Sequence, residues 1–224
     1  MNLYFLVEGK TERKVYPHWL SHLLPNFSRV DCPDEVSENN YFLISGGGFP
    51  SLLDVHFKSS VEDINDSGKY DFLVVCLDSD EESPEVKMIM VHDFIKNNKL
   101  TISCELKIIV QKKCMETWFM GNQTIYPRNI SVGFKPFSKF YNVLQNDPEL
   151  MWKPEKFEES CSIYHYEYLR YMLLEKRIRY SKTNPKDVTK EYYLQELKKR
   201  VSDTPHLNTL KIFLDFCDSL AKIT

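Results

Sequence analysis

Acidic residues stand where three apolar runs of this chain stop. Glu8 follows Leu3-Tyr4-Phe5-Leu6-Val7, Asp78-Ser79-Asp80 follows the run from Asp71 to Leu77, and Glu116 comes shortly after Leu106–Val110. Clustered carboxylates resist ionisation unless a cation neutralises them. Oxygen donors of this kind suit a hard ion, Mg²⁺ or Mn²⁺. One or two such ions keep several waters, contact phosphate, lower the pKa of an attacking water and stabilise a leaving oxygen. Two spacings sharpen the pattern. Side chains two apart on extended backbone point the same way, so Asp78 and Asp80 are expected to face one cation together. Glu12 follows Glu8 by four, which puts it one turn along the same face if a helix starts early.

These groups must converge across long stretches of sequence, and the elements between them predict how. Leu3–Val7 and Asp71–Leu77 read as buried parallel strands because they are continuously apolar. Tyr41–Ile44 and Leu106–Val110 are two more strands. Between them the spacing predicts helices over about 12–24, 50–64, 85–97 and 114–121, with Thr11 as the cap of the first and Pro84 in the first turn of the third. Strand and helix thus alternate four times over residues 1–122, the pattern of an α/β, Rossmann-like doubly wound fold with a central parallel sheet. In such a sheet the carboxyl ends of the strands share one edge, where ligands bind. That edge brings Glu8 to Asp78.

Residues 123–224 show no strand pattern. Helices are expected near 137–146, 162–180, 189–202 and 206–222, forming a helical elaboration packed on the first part. Charge is uneven along the chain. Residues 163–224 hold 12 Lys+Arg against 8 Asp+Glu, leaving 17 against 24 in the rest. An acidic half beside a basic half fits a metal site next to a phosphate-binding surface, or ordinary solvated helix faces.

The motifs LVEGKTE (6–12), VVCLDSDEE (74–82) and CMETWFM (114–120) resemble the TOPRIM domain of topoisomerases, primases and OLD-family nucleases. They are closer still to small RloB-like stand-alone TOPRIM proteins of bacterial anti-phage defence. The resemblance covers residues 1–122. It implies a Mg²⁺- or Mn²⁺-dependent endonuclease acting on DNA or on RNA such as tRNA. Glu8 would be a general acid/base or metal ligand, and Asp78 and Asp80 metal ligands. Glu12 matches the second acid of the E-G-x-[TS]-E pattern, and Glu116 the acid of a later E-x-W motif; these two would complete a second metal site or orient water. Lys182 would fill the place of a late lysine used by OLD-like enzymes. The partners implied are a nucleic-acid substrate, a co-encoded ATPase and, as an assembly, a homodimer. A partner-gated or non-catalytic subunit of such an ATPase is the competing reading.

Several other chemistries are excluded or weakened. Gly9-Lys10-Thr11 ends like a P-loop, but Tyr4 stands where its first glycine is needed. A phosphatase of the DxD type would need Asp where Glu8 stands. The six cysteines form no CxxC pair, which argues against zinc and for reduced, structural thiols. His18 and His22 are four apart without a metal motif. Tyr164, Tyr166, Tyr168 and Tyr171 suit packing better than base stacking, and Gly46-Gly47-Gly48 suits a plain loop better than a phosphate cradle. No apolar run reaches membrane-span length, and MNLYFLVEG lacks the features of a signal peptide, so a cytoplasmic location is expected.

Overall fold

A computed structural model describes residues 1–223. Its centre is a five-stranded, wholly parallel sheet of order β2-β3-β1-β4-β5. The strands are β1 (Asn2–Val7), β2 (Ser28–Val30), β3 (Asn40–Ser45), β4 (Phe72–Asp78) and β5 (Glu105–Gln111). Every residue of β1 is buried, as expected for a central strand covered on both faces. Its side chains alternate between two cores. Leu3, Phe5 and Val7 face one, and Tyr4 and Leu6 face the other.

The helices divide between those faces. Helix α1 (Lys10–Leu23) joins β1 to β2 and buries Val15, Trp19 and Leu20 with Leu3 and Phe5. On the opposite face a π-helical stretch, Leu52–Phe57, runs into α2 (Lys58–Ser67) and packs beside α3 (Pro84–Asn97). The later helices are α4 (Met115–Phe119), α5 (Lys135–Phe140), α6 (Cys161–Leu174), α7 (Glu191–Asp203) and α8 (Asn208–Ala221). Residues from α4, α6, α7 and α8 join the core of the α1 face. Trp118 lies near-parallel to both Trp19 (centroids 6.5 Å) and Phe213 (6.0 Å), so one aromatic stack ties α1, α4 and α8 together. No helix among the described residues is long and apolar enough to cross a membrane.

Several elements differ from the sequence expectation for local reasons. Strand β2 is three residues long and mostly exposed at the sheet edge, so it carries no hydrophobic pattern. The first helix begins at Lys10 with Gly9 as its cap, and the Thr11 hydroxyl instead reaches the Lys182 carbonyl at 3.4 Å. Helix α5 stops at Phe140, short of the expected 146. Helix α6 ends at Leu174 rather than 180, and Arg177 takes a left-handed φ of 60°, which turns the chain. Residues 180–184 then return towards the N-terminus of α1.

Candidate functional site

Strand β1 lies between β3 and β4, and its connection leaves through α1 in one direction while that of β4 leaves through α3 in the other. Neighbouring strands that part in this way leave a crevice beyond their carboxyl ends. Glu8 and Asp78 sit on its two sides, and the Asp78 N–H donates to Glu8 Oε2 at 2.9 Å. The Gly48 N–H holds the Glu8 carbonyl at 2.9 Å, so the glycine loop after β3 braces this turn. Gly46 in that loop lies so near Leu52 that an added Cβ would fall 2.8 Å from the Leu52 Cα, which explains a residue without a side chain there.

A cavity of about 250 Å³ opens at this crevice, lined by Glu8, Glu12, Asp78, Glu116 and Lys182 among others. Helix α1 delivers Glu12, which is 4% exposed. A Cβ on Gly9 would stand 2.8 Å from Glu12 Oε2, so the bare backbone at the cap makes room for this carboxylate. Helix α4 delivers Glu116, which accepts from the Tyr180 hydroxyl at 2.8 Å and faces Lys182 Nζ at 3.9 Å. The early end of α6 is what returns Tyr180 and Lys182 to this place.

Electrostatics mark the cavity. Burial pushes the Glu12 carboxyl up to about 7, and Glu116 and Glu8 add to the rise. Burial also raises Asp78 well above the usual carboxylate range, with Glu12, Glu8 and Glu116 pushing the same way. Glu8 is raised by burial, partly offset by the Asp78 N–H. Burial pulls the Lys182 ammonium down, but Glu116, Cys114, Asp78 and Glu12 outweigh it and the net shift is upward. Asp78 Oδ1 is buried without a hydrogen-bond partner. Such an orphaned oxygen among acids is costly unless something outside the chain answers it.

Asp80 is placed differently from the alternation argument. It does not continue β4 as extended backbone but takes a φ of 51°, held by its N–H to the Lys113 carbonyl at 3.0 Å. Its carboxylate accepts from the Ser162 hydroxyl at 3.0 Å and meets Lys87 Nζ at 3.5 Å, outside the lining of the cavity. Lys87 is the residue that sequence reading passed over. It is buried on α3, lies 4.2 Å from the centre of the Phe49 ring and lowers the pKa of Glu8. Only its i+3 place after Pro84 in a helix with few buried positions could have drawn notice.

The donors suit a hard divalent cation in kind. Four carboxylates face one cavity, and one buried carboxylate oxygen lacks a partner. Among the described residues, however, no three His, Cys, Asp or Glu side chains already stand where they would hold one metal ion together. Several other residues weighed from sequence have structural roles. Tyr164 and Tyr168 are core, and Tyr168 OH donates to the Tyr141 carbonyl. The six cysteines are unpaired thiols. Comparison with family models, with curated proteins and with solved structures finds no match to this chain.

Proposed function

We propose that this protein is a metal-dependent endonuclease of TOPRIM type, a phosphodiester hydrolase acting on DNA or RNA as a cytoplasmic effector of anti-phage defence. The observation that carries the reading is the orphaned, buried Asp78 Oδ1, set among three further carboxylates at the switch point of a parallel sheet. Glu8, Asp78 and Glu12 are the residues to hold Mg²⁺ or Mn²⁺. When bound, such an ion supplies charge neutralisation at phosphate and acidity to an attacking water. Glu116, fixed by Tyr180, orients water at the inner wall. Lys182 offers its ammonium to a non-bridging phosphate oxygen from the outer wall. Asp80 joins this set only by leaving Ser162 and Lys87, so its part is to position Lys87 against Glu8.

The test is cleavage of plasmid DNA, single-stranded DNA and total tRNA by the purified protein with Mg²⁺ or Mn²⁺. Glu8→Ala and Asp78→Ala are each expected to lower the rate by roughly a thousandfold or more. Cleavage that survives in both variants sinks the proposal.

One observation favours a second reading, a subunit gated by a co-encoded ATPase. The carboxylates are not yet gathered for one ion, and Glu116 is engaged by Tyr180 and Lys182. On that reading cleavage appears only when the ATPase is added.

A further inference from the structure

A second concavity, of about 690 Å³, runs along the exposed side of α1. Arg13, Lys14 and His18 form one wall, Arg29 of β2 one end, and Lys186 and Lys190 the facing wall. No Asp or Glu lines it. The chain as a whole carries a net charge of -3, so this concentration of cations is not a sample of the general surface. Lys190 is offset by Asp187 at 2.8 Å, and Lys14 donates to the Thr183 carbonyl. Among the described residues, Arg13, Arg29 and Lys186 pair with no carboxylate. Like charges gathered in this way repel one another and form a site for a polyanion.

The groove adjoins the carboxylate cavity. Thr183 lines both, and the consecutive residues Glu12 and Arg13 face one each. We propose that the groove is the track on which a nucleic-acid strand lies by its phosphates, so that the next phosphodiester along enters the carboxylate cavity. The direction towards the cavity rests on the nuclease reading; binding in the groove does not. Arg13 to His22 spans about 14 Å of helix, enough to follow one strand over a few phosphates. No Phe, Tyr or Trp lines the groove, so contact is with backbone rather than bases and carries no sequence preference. An anionic membrane is the poorer occupant, because interfacial binding needs large apolar side chains to insert, and this concave surface presents none.

The experiment measures anisotropy of labelled single-stranded DNA, duplex DNA and RNA in EDTA, where no cleavage can intervene, as salt is varied. The comparison is between wild type, an Arg13→Ala/Arg29→Ala/Lys186→Ala variant and a Lys96→Ala/Lys99→Ala control on the opposite side of the sheet. The triple variant is expected to bind a single strand about a hundredfold more weakly at ~0.1 M salt, with a log–log salt slope shallower by about 2. The control and an Arg13→Lys/Arg29→Lys variant should keep the wild-type slope. Three results each overturn the proposal: no nucleic-acid binding by wild type, an unchanged slope in the triple variant, or preferential binding of phosphatidylserine vesicles. Salt-sensitive binding with no cleavage under Mg²⁺ or Mn²⁺ would retain the groove and remove the reading of the free chain as a nuclease, so the two fail separately.

Discussion

Two buried polar regions of this protein make opposite bargains with the solvent they exclude. Behind the helical layer, Arg200 is 1% exposed, yet its guanidinium donates to the carbonyls of Val143 and Asn146 at 3.0 Å and to His206 Nδ1. Nearby Glu149, 2% exposed, accepts from the Thr209 N–H at 2.9 Å. At the sheet edge, Glu12 and Glu116 are as deeply buried and Asp78 is half-buried, but like charge surrounds like charge and the buried Asp78 Oδ1 has no partner. Burial raises the pKa of Glu149 as well, so a shifted pKa does not separate the two regions. Completeness of partners does. A charge whose partners all lie within the chain is accounted for by the fold, and one left short beside an open cavity is a candidate for contact with a ligand.

That contrast breaks first at Arg200. Arg200→Ala strands several buried carbonyls and is expected to cost about 4 kcal/mol, a fall of about 10 °C in thermal midpoint. Its cleavage rate per folded molecule should be unchanged. A midpoint within a degree of wild type would mean that the helical region is not organised by this residue.

The sheet edge is sharpened by pH. Carboxyls raised in the folded state contribute stability that is complete below their unfolded pKa and is lost as pH rises through the folded value. For Glu12 that window runs from 4.5 to about 7. Metal-free protein should therefore lose about 3 kcal/mol across it from Glu12, with Glu8 and Asp78 adding in the same direction. Melting in EDTA across this range checks the slope, and Glu12→Gln should flatten it. Millimolar Mn²⁺ should restore the midpoint at the upper end. A metal-free midpoint that climbs with pH would place the acids in a satisfied network like that around Arg200.

The smallest effect is expected at Gly9. Gly9→Ala puts a methyl 2.8 Å from Glu12 Oε2 and displaces the carboxylate. Stability should change by less than about 1 kcal/mol. The Mn²⁺ concentration for half-maximal cleavage should rise about tenfold. An unchanged metal titration would show that Glu12 is no ligand.

Much of this arrangement was legible in the residues, and the exceptions share a cause. The strands carrying Glu8 and Asp78 are continuously apolar, which forced them to the sheet centre and their acids to one edge. The helical character of 123–224 was equally plain from its periodicity. At Asp80 the alternation argument does not hold, because side chains two apart share a face only while backbone stays extended, and a φ of 51° cannot be read from Asp-Ser-Asp. Lys182 rested on resemblance alone. Its approach to Glu116 depends on α6 stopping at Leu174, and the sequence through Glu175-Lys176-Arg177 has no glycine or proline to announce that stop. Lys87 was missed because it acts from the helix opposite the acids, through a contact with Asp80 that no local spacing encodes.

The aromatic stack of Trp19, Trp118 and Phe213 has a bearing on how the molecule is born. Glu116 stands on a helix of five residues, too short to hold itself, and Trp118 of that helix donates through its indole N–H to Thr209 at 2.8 Å. Chains emerge from the ribosome N-terminus first, so Glu8, Glu12 and Asp78 are made long before α8 is available to steady α4. A nascent chain still missing α8 carries all four acids but holds Glu116 on an unsteadied helix, and the arrangement is completed once α8 has been translated and docked.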